Sequence, residues 1–280
     1  MTERIFRFLG EEQPETPCLV VDLDAVEENF VTLRRSLPLA DIFYAVKANP
    51  AWEILDRLNR LGSSFDAASL YEIEQCLGLG IDAARISFGN TIKKESHIAA
   101  AFDKGIRLFT IDSEAELEKM ARAAPGSKIF CRFLTSGDGA DWPLSRKFGC
   151  DAAMAENLLM RAGQLGIIPY GVSFHVGSQQ RDPGQWDAAV KTAAGLFERL
   201  ATRGVELKSV NIGGGFPAQY RTASPGAEAH SQAIMTAMTA HFGNNLPRII
   251  AEPGRYIPGD AGIIQTEIVL ISQKTAESTR

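Results

Sequence analysis

Eight short apolar runs, each separated from the next by enough chain for a helix, constrain this sequence more than any other feature. They fall at 41–47 (DIFYAVK), 63–67 (SSFDA), 86–89 (ISFG), 108–112 (LFTID), 128–133 (KIFCRF), 169–175 (PYGVSFH), 209–213 (SVNIG) and 248–252 (RIIAE). The runs are nearly continuous rather than alternating, as strands covered on both faces by helices are. The intervening chain has helical periodicity. SEAELEKMARAA, residues 113–124, sets Glu114, Leu117 and Ala121 at helical spacing behind an Asp112–Ser113 N-cap, and SLYEIEQCLGLG (69–80) is amphipathic in the same way. DAVEENFVTLRRSL, residues 24–37, precedes the first run and opens on a capping aspartate, Asp24. Eight strands with room for eight helices predict an α/β fold of the (β/α)8 TIM-barrel type. A doubly wound sheet fits less well, because no G-x-G-x-x-G follows the first run.

Two pieces lie outside such a barrel. The head, residues 1–16, precedes it, and the tail, 259–280, is strand-like over 262–272. Both are expected to be parts of a second β-rich unit, leaving 17–258 for the barrel. The 280 residues, 45% hydrophobic and 22% charged, suffice for one large core. A net charge of -5 gives no basic face for nucleic acid or an anionic membrane. No apolar run approaches a membrane span, and the acidic N-terminal stretch does not read as a signal peptide. Cys18, Cys76, Cys131 and Cys150 are widely spaced without a CxxC pair, so they read as reduced core residues of a cytosolic protein with no metal site.

A barrel of this kind gathers its chemistry at the C-terminal ends of its strands. There the sequence places Lys47, Asp66, Asn90, His175 with Ser178, Gly213–Gly214–Gly215, and Glu252 followed by Gly254 and Arg255. Lys47, closing a core strand, is unusual, because lysine is seldom buried without a partner. Taken singly, each has a plainer reading: the glycines a turn, His175 a core histidine, Lys47 a snorkelling side chain, Glu252 and Arg255 an ion pair. Their convergence on one rim is more specific. Glycines after strands seven and eight admit phosphate oxygens to backbone N–H groups, and arginine adds charge. A lysine beside them can condense with an aldehyde. Phosphate and aldehyde together indicate pyridoxal phosphate, and Glu252 then suits its pyridine nitrogen. His97 and His241 fall in helical polar stretches and His230 in a loop, and none is given a role.

The segments FYAVKANP, FDAAS, SFGNTIK, FTIDSEAEL, SFHVGSQ, NIGGGFP and AEPGRY, in this order between residues 43 and 256, resemble the fold-type III pyridoxal-phosphate decarboxylases, the ornithine/diaminopimelate/arginine group, and the resemblance extends from residue 17 to about 272. The resemblance implies an alanine racemase-like barrel joined to a β domain, in homodimers with shared active sites. It implies Lys47 as the Schiff-base lysine, His175 stacked on the cofactor ring, and Ser178 near the phosphate. Gly213, Gly214, Gly215, Gly254 and Arg255 would hold the phosphate, Glu252 would pair with the pyridine nitrogen, and Asp66 would join the polar network near the lysine. HVGSQ with GGGFP is closer to the ornithine and lysine branch than to diaminopimelate decarboxylases. Ala48-Asn49-Pro50 after the lysine departs from the tyrosine-glycine-histidine-glycine pattern of the racemases. The implied activity is decarboxylation of ornithine or lysine in cytoplasmic polyamine biosynthesis. A non-catalytic barrel that binds pyridoxal phosphate or a partner protein, a diaminopimelate decarboxylase and a phosphate-binding aldolase are the alternatives.

The sequence departs from the family pattern twice. Pro143 stands where ornithine decarboxylases place an arginine to meet the aspartate matched by Asp66. A cysteine-aspartate motif, a substrate-binding aspartate and a phosphate-binding tyrosine of the β domain have no counterpart before Arg280, and Cys131 and Cys150 lie in the wrong place to substitute. A truncated chain with the pyridoxal half of the site and not the substrate half is therefore expected.

Overall fold

The protein was analysed as a computed structural model that describes residues 3–143 and 147–279. All eight apolar runs form strands: β2 (Ala40–Ala45), β3 (Ser64–Ala67), β4 (Ile86–Phe88), β5 (Leu108–Ile111), β6 (Lys128–Arg132), β8 (Ile168–Ser173), β10 (Ser209–Asn211) and β11 (Arg248–Ala251). They close a parallel barrel in the order β10-β11-β2-β3-β4-β5-β6-β8. Helices α3 (Trp52–Arg60), α4 (Leu70–Gly78), α5 (Glu95–Asp103), α6 (Glu114–Ala123), α7 (Ala152–Gln164), α8 (Gln185–Thr202) and α9 (Ala227–Phe242) connect the strands. Helix α2 (Leu23–Ser36) precedes the first barrel strand and packs between α9 and α3, which completes the outer ring.

The strand period of two sorts the side chains. Phe43, Phe130 and Ile250 point inward and fill the barrel floor with Leu108 and Tyr170, while their neighbours Tyr44, Ile129 and Ile249 join the outer core under the helices. Burying each large apolar side chain stabilises the fold by about 1.5–3 kcal/mol. Two residues on from the floor, the same faces present Ala45, Arg132 and Glu252 to the mouth. The floor therefore seals the barrel and leaves its upper half for polar groups.

The structure departs from the sequence reading at the edges. The head is helical, α1 (Glu3–Glu12), and buries Ile5 rather than adding a strand. In the tail only β12 (Gly262–Gln265) lies in the expected strand, and it pairs antiparallel with β1 (Cys18–Val21), outside the barrel sheet. Ile268 to Ile271 are exposed and pair with no described strand, and β13 (Gln273–Thr275) turns back on β14 (Ser278–Thr279). The cap of α2 is Asp22, which accepts from Asp24 N–H at 3.0 Å, two residues before the expected one. Ser113 stands at the N-cap of α6 without a side-chain bond, and Asp112 accepts from Gly149 N–H at 2.8 Å instead. His230 lies in α9, fully buried, not in a loop. The four cysteines are free, and Cys131 and Cys150 lie with sulfurs 3.9 Å apart.

Candidate active site

A cavity of about 510 Å³ opens at the C-terminal mouth, within the size range of small-molecule sites. It is lined by Lys47, His175, Ser178, Gly214, Gly215, Glu252, Gly254 and Arg255, so eight of the expected site residues share one wall. Gly213 and Asp66 lie immediately behind it, and Asn90 only braces its loop through Ala68 O and Ile92 N–H.

Lys47 differs from the expectation. Strand β2 ends at Ala45, and Lys47 sits in a single 3-10 turn, Val46–Ala48, exposed to the open mouth. The turn is held from below. Buried Tyr44 donates its hydroxyl to Asn49 O at 3.0 Å, and Asn49 Oδ1 accepts from Ala51 N–H at 3.1 Å. Among the described residues the buried lysine is another one, Lys93. Its ammonium meets Glu116 at 2.9 Å and donates to Thr110 O and Asn90 O, and burial lowers its pKa to about 8. Lys93 stitches the loop after β4 to α6, whereas no described residue bonds Lys47.

Asp66 has no arginine at Pro143, and 144–146 of that segment lie outside the described residues. Its partner is the Ser87 hydroxyl, which donates to Asp66 Oδ1 at 3.0 Å. A Cβ at Gly89 would stand 1.9 Å from that oxygen, so only glycine leaves the carboxyl in place. Burial first, then the negative charge of Glu252, push Asp66 up to about 8, against the opposing pull of Lys47. Since the folded state holds this proton more tightly than the unfolded chain, stability falls as pH rises from about 4 toward 8. Asp66→Asn is expected to stabilise the cofactor-free protein by on the order of 2 kcal/mol at pH 7.5 and by nothing near pH 3.5, read by denaturant unfolding at both values. A pH-independent difference would refute the buried, protonated carboxyl.

Glu252 is oriented by a residue the sequence reading passed over. Asn211 Nδ2 donates to Glu252 Oε1 at 2.5 Å, Asn211 Oδ1 accepts from Gly213 N–H at 2.9 Å, and Glu252 N–H donates to Gly213 O at 2.8 Å. The second carboxylate oxygen has no partner among the described residues, and Glu252 makes no ion pair with Arg255. His175 Nδ1 accepts from Gly177 N–H at 3.0 Å, which assigns the ring proton to Nε2. Burial, then Arg132 and Lys47, hold His175 well below the usual histidine range, so its ring is uncharged at neutral pH.

The glycines differ in kind. A Cβ at Gly213, Gly214 or Gly215 would stand 2.2–2.7 Å from the carbonyl oxygens of Phe174, Glu252 and Gly177, so close backbone approach demands all three. At Gly254 a Cβ would meet only Ala45 and Ala48, at 3.4 and 3.5 Å, and would stand in the cavity wall. The N–H groups of Gly214, Gly215, Gly254 and Arg255 have no acceptor among the described residues. Above them an antiparallel ribbon, β7 (Ala140–Trp142) with β9 (Ser178–Gln180), carries Ser178 and the Trp142 ring, which lies 4.7 Å from the Arg255 guanidinium. Free donors, a guanidinium and a glycine-lined recess suit a phosphate, and Glu252 beside a ring-sized space suits a protonated nitrogen. The residues fit pyridoxal phosphate.

A parallel barrel with this mouth defines a pyridoxal-binding class of α/β protein. The comparisons narrow it. A family model described as "Pyridoxal-dependent decarboxylase, pyridoxal binding domain" matches residues 23–259, and the chain belongs to that family. It is 37% identical over 271 residues to the lysine/ornithine decarboxylase of Selenomonas ruminantium, covering 96% of this chain and 68% of that protein. It is 38% identical over 251 residues to mouse ornithine decarboxylase, covering 89% of this chain and 54% of that protein. The crystal structure of the Selenomonas lysine decarboxylase with PLP and cadaverine superposes with a TM-score of 0.88 at 35% identity, over 100% of this chain and 70% of that one. The chain thus spans between about half and two thirds of the length of these curated relatives. No described helix is long and apolar enough to cross a membrane.

Proposed function

We propose that this chain is the pyridoxal-phosphate-binding part of an enzyme that decarboxylates a basic L-amino acid, ornithine first and lysine second. The observation that carries the reading is the convergence of Lys47, His175, Glu252 and the glycine–Arg255 corner on one cavity. When bound, pyridoxal phosphate supplies an electron sink for the pair left behind as CO2 departs. The chain's own residues do the rest. Lys47, exposed in its turn, is the amine that holds the cofactor covalently. Glu252 keeps a proton on the pyridine nitrogen, and Asn211 aims it. Uncharged His175 offers a flat ring face. Gly213, Gly214, Gly215, Gly254, Arg255 and Ser178 form the anion corner, and Asp66 belongs to the polar network behind the lysine. Cytoplasmic polyamine biosynthesis and a homodimer belong to the same reading and rest on kinship with the ornithine and lysine decarboxylases. Residues 17–258 are the unit assigned to the cofactor, with 1–16 and 259–280 apart from it.

Borohydride reduction after addition of pyridoxal phosphate, followed by peptide mass mapping, tests the assignment. A pyridoxyl group on the peptide containing Lys47, absent in Lys47→Ala, is expected. Modification spread over surface lysines without preference for Lys47 would count against it.

A further inference from the structure

Tyr220 stands in the anion corner beside the residues already assigned to it. It lines the cavity, and its hydroxyl lies 3.4 Å from Arg255 Nη1, while Arg255 Nε faces Ser178 Oγ, also at 3.4 Å. Two hydroxyls therefore bracket one guanidinium. The placement of Tyr220 is built. Gln179, buried and adjacent to Ser178, donates to Ala218 O at 2.7 Å and accepts from Ala218 N–H at 3.1 Å. That reciprocal pair fixes the strand carrying Ser178 against the loop carrying Tyr220. The Gln219 side chain closes the same loop on Ser224, through bonds of 3.0 and 3.2 Å. Gly259 supplies the space, since a Cβ there would stand 2.5 Å from Arg255 O and 3.0 Å from Tyr220 Oη.

The chemistry follows from the donor inventory. A phenol oxygen that accepts from a guanidinium N–H keeps its own proton for another acceptor. The free N–H groups of Gly214, Gly215, Gly254 and Arg255 mark where an anion would lie. We propose that Tyr220 is a further ligand of the phosphate dianion in this corner, donating its hydroxyl to a phosphate oxygen while accepting from Arg255. The proposal rests on the reading of the cavity as a pyridoxal phosphate site.

The experiment is a comparison of two ligands, pyridoxal 5′-phosphate and phosphate-free pyridoxal, binding to the wild-type chain and to Tyr220→Phe by quenching of protein fluorescence. Phenylalanine removes one oxygen from a half-exposed side chain, so the fold is retained, and the thermal midpoint verifies it. Tyr220→Phe is expected to weaken pyridoxal phosphate about tenfold, the loss of one hydrogen bond to a charged group, while leaving pyridoxal within about twofold. Inorganic phosphate should compete correspondingly less well with the variant. Equal losses for both ligands, or an unchanged affinity for pyridoxal phosphate, would overturn the role of Tyr220. A wild-type chain that does not distinguish the two ligands would instead overturn the cofactor reading itself.

Discussion

Glu252→Gln is expected to lower the rate of the proposed decarboxylation by roughly 10²–10³-fold, as loss of one preorganised electrostatic partner does, with the unfolding midpoint near its wild-type value. The two halves of this expected result have separate causes. Glutamine keeps the shape of the side chain, and its carbonyl oxygen accepts from Asn211 Nδ2 as Oε1 does now, so packing survives. It loses the charge. With pyridoxal phosphate bound, a neutral amide at position 252 would no longer favour a proton on the pyridine nitrogen, and the electron sink that the cofactor would supply would be weakened. Asn211→Ala should fall between wild type and Glu252→Gln, because the carboxylate remains but its aim is lost. CO2 release, read in the full-length enzyme of which this chain is proposed to be the cofactor-binding part, and thermal unfolding of the chain itself separate the two effects. Turnover close to normal in Glu252→Gln would remove Glu252 from the chemistry.

The barrel was legible because its signal is redundant. Eight runs must each be apolar on both faces, and a misplaced boundary in one does not change the count. All eight expected strands are present, most of them ending one to two residues short of the expected end. The rim residues were legible for a related reason, since a polar residue just past an apolar run has nowhere to go but the mouth. Lys47 shows the limit: the run read as one strand through the lysine, and the chain instead turns after Ala45 because Tyr44 captures Asn49 O. That bond has no sequence period. Asn211, Ser87 and Arg132 were missed because each lies inside a run and looks like a strand residue of no particular sign. Their partners, Glu252, Asp66 and the cavity, come from strands distant in sequence. The ribbon β7–β9 escaped notice because its strands are three residues each, too short for alternation to register. The helical form of the head, α1, was not legible for want of a tertiary cue. Its apolar residues suit either element, and burial of Ile5 alone does not distinguish them in sequence.

Gly213→Ala and Gly254→Ala, equal changes forty-one residues apart in the same rim, are expected to fail differently. Gly213 has φ +67, where an L side chain costs about 1–2 kcal/mol. Its Cβ would stand 2.2 Å from Phe174 O and 3.1 Å from His175 Cα, both backbone atoms of the adjoining strand end. Neither can retreat without moving the rim of β8 and, through Gly213 O, the N–H of Glu252. Strain and displacement together should cost about 3 kcal/mol or more, lower the thermal midpoint by on the order of 6–12 °C, and weaken cofactor binding as a consequence. Gly254 carries no positive φ, and its Cβ would meet only two alanine methyls at ordinary distances. Gly254→Ala should therefore unfold within about 0.5 kcal/mol of wild type, yet bind pyridoxal phosphate more weakly, because the methyl narrows the cavity wall. The paired measurement is the midpoint and the cofactor dissociation constant of each variant. Gly254→Ala binding the cofactor as wild type does would make Gly254 a turn residue rather than a site residue. Gly213→Ala folding as stably as wild type would mean that the glycine run is not fixed by backbone contact, and the steric account of the anion corner would fall with it.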